Sequence, residues 1–203
     1  IDNTYALVDT IRDVNNGDTI MLDATMTYTI GSQKIDRAVT ILSDPDLETS
    51  AKISIGSNFW LGEVDLDAII FEGIHFIGGG YIFNNGNDYT LGKFMLKDCR
   101  IQNTGGLWRG KAVASQMNQF IVDNCVIDTL GEYGILTTTG TNVVDTISVT
   151  NTTIHKAQAM FRVGASCKSV TVKSVTINES PLTGWPGTLL SFSASPGVLT
   201  ISD

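Results

Sequence analysis

The chain is poor in cysteine, in charge and in long apolar runs, and each shortage removes a class of protein. Three cysteines in 203 residues, Cys99, Cys125 and Cys167, are too few for a disulfide scaffold and lack the Cys-x-x-Cys pairing of zinc sites. Basic residues are outnumbered, 13 Lys and Arg against 21 Asp and Glu, and a formal charge of -8 opposes binding to nucleic acid or to anionic membrane surfaces. No apolar run approaches the roughly 20 residues that span a bilayer, and the first residues, from Ile1, have none of the charged, apolar and small-residue order of a signal peptide. A soluble form without membrane insertion is expected. Strand-like segments lie close to both ends of the sequence, which reads as one part of a longer chain with further domains.

What is plentiful points to β-structure. Only 17% of residues are charged, while Gly, Thr, Ser, Asn and Asp abound, a mixture that suits short strands and tight turns. The 42% hydrophobic content is ample for one continuous core. One short pattern recurs: IIFEGIHF from Ile69, FMLKDCRI from Phe94, FIVDNCVI from Phe120, ISVTNTTI from Ile147 and VTVKSVTI from Val170. Successive starts are 25, 26, 27 and 23 residues apart.

Within the pattern the first and third residues are apolar and face inward, while the fourth (Glu72, Lys97, Asp123, Thr150, Lys173) faces water. The fifth is always a corner residue, Gly73, Asp98, Asn124, Asn151 or Ser174, after which inward columns resume with Ile74, Cys99, Cys125, Thr152 and Val175. A third apolar segment follows each copy, at Gly80 to Phe83, Gly106 to Arg109, Gly134 to Thr137, Ala159 to Arg162 and Thr188 to Ser191. A single coil cannot bury its inner face, whereas stacked coils about 4.8 Å apart pair every backbone and build apolar ladders. The expected fold is all-β, a single-stranded right-handed parallel β-helix over residues 1–203. A short capping α-helix at 4–14 begins after Asn3 or Thr4, with Leu7, Ile11 and Val14 on one face. Irregular early coils at 19–67 and regular coils at 69–203 complete it, with Val198 to Ile201 opening a further coil.

The string Asn16-Gly17-Asp18-Thr19-Ile20-Met21-Leu22, then Tyr28-Thr29-Ile30 and Ala38-Val39-Thr40-Ile41-Leu42, resembles the opening of the pectate-lyase-like β-helix superfamily. The segment Ile69 to Phe76 and the corners Asp98-Cys99 and Asn124-Cys125 resemble its alginate lyase and chondroitinase B branch, and also uncharacterised bacterial surface β-helix proteins. The resemblance implies a secreted, periplasmic or cell-surface protein that engages acidic polysaccharide or oligosaccharide. Many such proteins cleave uronic-acid polymers by β-elimination, in which a basic residue takes the C5 proton while a cation neutralises the adjacent carboxylate. The lysine and arginine motif that supplies these roles is not found here, so no catalytic residue is carried over. Three functions stay open: a noncatalytic polysaccharide-binding β-helix, an active polysaccharide lyase, and a structural adhesin or spacer.

The sharpest site candidate lies on the third strands. There Trp108, Leu136, Phe161 and Leu190 align inward and direct Arg109, Thr137, Arg162 and Ser191 outward, with Lys111 close in sequence. Arg109 and Arg162 then stand two rungs apart, roughly 10 Å, a span suited to carboxylate or sulfate groups on a glycan; the alternative is two ordinary solvated arginines. By strand parity Leu107, Ile135, Met160 and Leu189 also point outward, which requires a loop or partner to cover them. Trp60, Trp185, Tyr81, Tyr89 and Tyr133 lie near turns, where aromatic faces stack on sugars or on neighbouring side chains.

His75 falls on an outward position and His155 at a corner after Ile154, without ligand-spaced partners, so no metal site is expected. Two acidic groups, Asp44, Asp46 and Glu48, then Glu63, Asp65 and Asp67, offer calcium ligands but no calcium-loop consensus; solvated turns are the simpler reading, and no cofactor is expected. Cys99 and Cys125 share one inward column, compatible with buried thiols or with a disulfide.

Overall fold

A computed structural model describes residues 4–111, 114–131, 133–181 and 188–203. The chain winds as a parallel β-solenoid with one short helix, Thr4–Asp13, at its start. Leu7 and Ile11 on that helix and Val14 just beyond it join the core cluster, so the helix closes the first coil as the 4–14 periodicity predicts. Asn3 lies outside the described residues. An exposed parallel edge is an aggregation template, and a helix is the economical cover for it.

One sheet contains eight strands: Asp18–Leu22, Val39–Ser43, Val64–Glu72, Tyr89–Lys97, Ser115–Asp123, Asn142–Thr150, Ser169–Lys173 and Val198–Ser202. Two further faces share the strands Thr27–Ile35 and Lys52–Leu61. In those early coils the chain crosses the bend between the faces without leaving β-structure. The second face begins on Lys52 to Ser54 and adds His75–Ile77, Arg100–Thr104, Val126–Leu130, Thr153–Ala157 and Thr176–Asn178. The third begins at Phe59 and adds Tyr81–Asn85, Gly106–Gly110, Leu136–Thr138, Phe161–Val163 and Leu190–Phe192.

The pattern's fifth position is the corner between the first and second faces. Gly73, Asp98, Asn124, Asn151 and Ser174 all have left-handed backbone, with φ of 67°, 54°, 51°, 51° and 52°. Glycine, Asn and Asp enter that region at least cost, which is why the column is readable in sequence. A second left-handed column closes the other side of the same strands, at Gly78, Asn103, Thr129, Lys156 and Glu179. Thr129 at φ 64° is a β-branched residue in a conformation that crowds its Cβ, so the stacked coils impose the bend against local preference.

Inside, the aligned columns make an aromatic file. Phe83 and Trp108 stack at 4.8 Å between ring centroids, Trp108 lies 4.8 Å from Phe94, and Phe94 stacks on Phe120 at 5.4 Å. Cys99 and Cys125 are free, buried thiols, and their sulfurs point to the backbone oxygens of Lys97 and Asp123 at 3.2 and 3.3 Å. Burial, more than the neighbouring Cys125, pushes the Cys99 thiol well up from its ordinary pKa. Both therefore act as small apolar fillers of one ladder.

One expectation is overturned. Leu107, Ile135 and Met160 point into the core and are at most 1% exposed, beside the inward Trp108, Leu136 and Phe161. Two consecutive residues face inward because the backbone bulges at this corner. The Met160 carbonyl accepts from both the Ile135 and Leu136 N–H groups at 3.0 Å, and the Leu189 carbonyl accepts from Met160 and Phe161 at 2.8 and 3.0 Å. A bulge breaks the period-two alternation on which the outward assignment rested. Leu189 is partly buried against the same cluster, so the residues need no covering loop or partner.

Candidate functional site

The third face carries the arginine ladder in the expected register. Arg109 pairs with Asn84 on one side and Thr137 on the other; Thr137 pairs with Arg162, and Arg162 with Ser191. The two guanidinium-bearing strands are thus two rungs apart, about 10 Å at ordinary strand spacing. Both arginines are half-buried, and Ser191 is exposed.

Their setting differs from that of solvated surface arginines. The Arg109 guanidinium lies over the Tyr133 ring, 3.9 Å from its centroid, and donates from Nη2 to the Tyr133 hydroxyl at 2.8 Å. Tyr81 stands edge-on to Tyr133 at 5.4 Å and is 5.6 Å from the same guanidinium. Arg162 lies 5.7 Å from the centroid of the same ring. Tyr133 is held in turn by Thr137, whose hydroxyl donates to the Tyr133 carbonyl at 2.7 Å and which is only 7% exposed. Thr137 therefore fixes the loop on which the two cations meet. Lys111 sits exposed at the end of the Arg109 strand, and its amide donates to the Asn85 carbonyl at 2.8 Å. Partial desolvation first, and the charge of Arg109 second, lower the Lys111 pKa, so both cations belong to one electrostatic patch.

Planar guanidinium stacked on an aromatic face loses little side-chain freedom and keeps its remaining N–H groups for a carboxylate or sulfate. No carboxylate pairs with Arg109 or Lys111 within 4.0 Å among the described residues. Arg109 and Lys111 can thus receive an external acidic group without first breaking an ion pair to a described residue.

The other aromatic candidates divide. Tyr89 is buried and its hydroxyl accepts from the Trp108 indole at 3.3 Å, so it belongs to the core, and burial pushes its pKa up. Trp60 lies beside Lys34, 6.0 Å from the ring centroid, in a shallow cavity with Val8 and Arg12. Trp185 lies outside the described residues. The acidic turns hold no group of three ligand-type side chains suited to a metal ion among the described residues.

His155 is on a strand, Thr153–Ala157, and the corner falls one residue later at Lys156. Stacking brings it partners that sequence spacing hides: Nδ1 is 3.1 Å from Asp128 Oδ1 and Nε2 is 3.3 Å from Glu179 Oε1. Its pKa is raised above the ordinary 6.5, first by Asp128 and then by Glu179. His155 in turn lowers Asp128 and Glu179 from 3.8 and 4.5. The raised imidazole stabilises the fold below pH 6.5, and that contribution fades as pH rises through its folded pKa. The lowered carboxylates contribute above their ordinary values, and that contribution fades as pH falls through their folded pKa values. Thermal unfolding should therefore peak between about pH 4.5 and 6.5 for this triad. His155→Gln should flatten the decline on the alkaline side of that window, and an unchanged alkaline slope in the variant would exclude the linkage.

A second cationic column stands on the second face. Lys52 pairs with His75, and His75 with Arg100, so the three project from consecutive coils. They line a cavity of about 470 Å³ whose other walls are Ala24, Thr25, Met26, Thr49 and Ser50. His75 is half-buried, and its Nε2 has no hydrogen-bond partner among the described residues. Desolvation, then Arg100, lowers its pKa from 6.5. The sequence placed His75 outward but gave no hint of the cavity, because the two turns beside it are 25 and more residues upstream.

The molecule is thus a parallel β-solenoid bearing two separate cationic sites on an acidic chain. Compared with known proteins, it matches no family model and no curated sequence.

Proposed function

We propose that the protein is a polysaccharide-interacting β-solenoid of the secreted or cell-surface kind, and that Arg109 and Arg162 hold acidic groups of a glycan laid along the third face. The observation that carries this reading is the Arg109, Tyr133 and Arg162 constellation: two guanidinium groups on strands two rungs apart that share one tyrosine ring, with Arg109 stacked and hydrogen-bonded in advance. Lys111 adds a third positive charge at one end. The spacing of about 10 Å is near the length of two sugar units, so acidic groups on alternate residues of a chain meet successive arginines. The resemblance to pectate-lyase-like β-helices agrees with this substrate class. The missing lysine and arginine motif favours binding without cleavage.

The test is a titration with alginate, polygalacturonate and chondroitin sulfate oligosaccharides, followed by calorimetry and by absorbance of unsaturated products. Each charge-assisted contact is worth about 1.5–3 kcal/mol, so Arg109→Ala with Arg162→Ala should weaken binding of the preferred glycan by 100-fold or more. Binding should also weaken with added salt. Equal affinity in the double variant for every acidic glycan, or no binding by the parent protein, would overturn the proposal. Rising absorbance would move the assignment to a lyase.

A further inference from the structure

We propose that the cavity lined by Lys52, His75 and Arg100 is a binding site for an oxyanion group, a sulfate or a carboxylate, separate from the arginine ladder of the third face. Three observations lead there. The first is the column itself. Neighbouring rungs of a parallel sheet are about 4.8 Å apart, and like charges placed in register repel. Lys52 and Arg100 flank His75 in successive coils, yet neither makes an ion pair or a side-chain hydrogen bond among the described residues. Lys97, by contrast, is paired with Glu72, and Lys168 with Asp145.

The second observation is the cavity. The turn at residues 23–26 and the loop at residues 44–50 stand beside the start of the second face, and Ala24, Met26, Thr49 and Ser50 wall an open cavity of about 470 Å³ that the three side chains also line. No carboxylate lines it. This wall is itself fixed: the Thr49 hydroxyl donates to the Ala24 carbonyl at 3.2 Å, and the Thr25 hydroxyl to Asp23 at 2.7 Å. Beyond Arg100 the same column continues as Val126, Thr153 and Thr176, so the cations stop where the cavity stops.

The third is the imidazole. His75 Nε2 is buried with no direct hydrogen-bond partner among the described residues, and Gln102, in the next coil, is the one side chain that acts on the ring as a hydrogen-bond partner. A neutral imidazole donates one N–H while the flanking lysine and arginine supply the charge. An ammonium and a guanidinium that line one cavity from either side of an imidazole offer charge and N–H donors suited to the oxygens of a sulfate or of a carboxylate. Lys52 and Arg100 are two rungs apart, as Arg109 and Arg162 are, but they line one cavity with His75 between them, which takes a single group, whereas the third face spreads acidic groups along a chain.

The test follows the His75 ring and the amides of residues 52, 75 and 100 by NMR at constant ionic strength. Sodium sulfate, sodium glucuronate and glucosamine 6-sulfate are each titrated against sodium chloride. Saturable shifts with sulfate or with glucuronate are expected, and the tighter of the two sugar acids identifies the group's source. Lys52→Gln with Arg100→Gln should weaken that binding by about 100-fold or more, as loss of two charge-assisted contacts requires. Arg109→Ala with Arg162→Ala should leave it unchanged, which separates this site from the third-face reading. Both cations are exposed, so the variant should fold; His75→Gln, with the cations kept, supplies a second weakened protein. Shifts that rise linearly and match those in chloride, or saturation undiminished in the Lys52 and Arg100 variant, would overturn the site.

Discussion

Trp108→Ala should cost about 3–5 kcal/mol of unfolding free energy, the range for removing a large aromatic from a packed core. Trp108 is completely buried and meets Phe83 and Phe94 at 4.8 Å and Tyr89 at 5.7 Å. Those rings belong to the same coil and the preceding one, so the cavity opens inside the file that joins neighbouring coils. Truncation also strips the Tyr89 hydroxyl of its indole donor, at 3.3 Å, in a place water does not reach. Relaxation is limited because each neighbouring ring is fixed by strand register above and below. In a solenoid stability is a sum over coils and the interfaces between them, so the damage should concentrate in the middle and can split unfolding into two steps. Denaturant unfolding by circular dichroism checks it. A loss under 1 kcal/mol with a single transition would mean that the aromatic file is not a principal source of cohesion.

The same file shows why so much of this fold could be read from residues alone. Inward columns need one apolar side chain per coil, and the left-handed corner needs Gly, Asn, Asp or Ser, so five copies aligned on both features define coil length and strand direction together. The Arg109, Thr137, Arg162 and Ser191 register followed from that alignment and is the register the structure has. Part of what stayed hidden traces to the loss of strict alternation. On the first face, Leu66 and Ile69 are both buried although three residues apart, so the strands extend upstream of the recognised pattern through an irregular step. Gly92 marks that step: a Cβ there would fall 2.4 Å from the Asp67 carbonyl oxygen. At the third-strand bulge the same loss of parity sent Leu107, Ile135 and Met160 to the wrong side. The second corner column was illegible for another reason, since Thr129, Lys156 and Glu179 are not residues that announce a left-handed bend.

Of the candidate site, the arginines were legible and their preparation was not. Tyr133 reaches Arg109 from 24 residues away through a loop between strands, and no pattern in sequence predicts where such a ring will lie. His155 with Asp128 and Glu179, and His75 with Lys52 and Arg100, are likewise assembled across coils. Stacking brings together residues about one coil apart in the chain. A fixed sequence spacing, the usual sign of a site, is replaced here by a fixed rung, and the rung is known only when every insertion between strands has been counted.

Gly134→Ala should cost about 2–5 kcal/mol and should also weaken glycan binding, though the residue touches no ligand in the proposed complex. Two penalties add. Gly134 has φ of 58°, where an L-residue loses roughly 1–2 kcal/mol to crowding of its Cβ. That Cβ would also fall 2.2 Å from the Ala159 carbonyl oxygen in the next coil, and a backbone atom cannot swing aside as a side chain can. Overpacking of this kind costs about 1–3 kcal/mol when the coils shift to relieve it. The shift has a direction: Gly134 follows Tyr133, and its carbonyl accepts from the Leu107 amide at 2.9 Å, two residues before Arg109. Moving this loop away from Ala159 therefore disturbs the stacked guanidinium from both sides. Gly140→Ala is the control, because the nearest atom to its new Cβ is 3.8 Å away and its backbone is not left-handed; a change within about 0.5 kcal/mol is expected. If Gly134→Ala lost stability but kept full affinity for the acidic glycan that the parent protein binds, the preset position of Tyr133 would not be what prepares Arg109, and stacking would be incidental to binding.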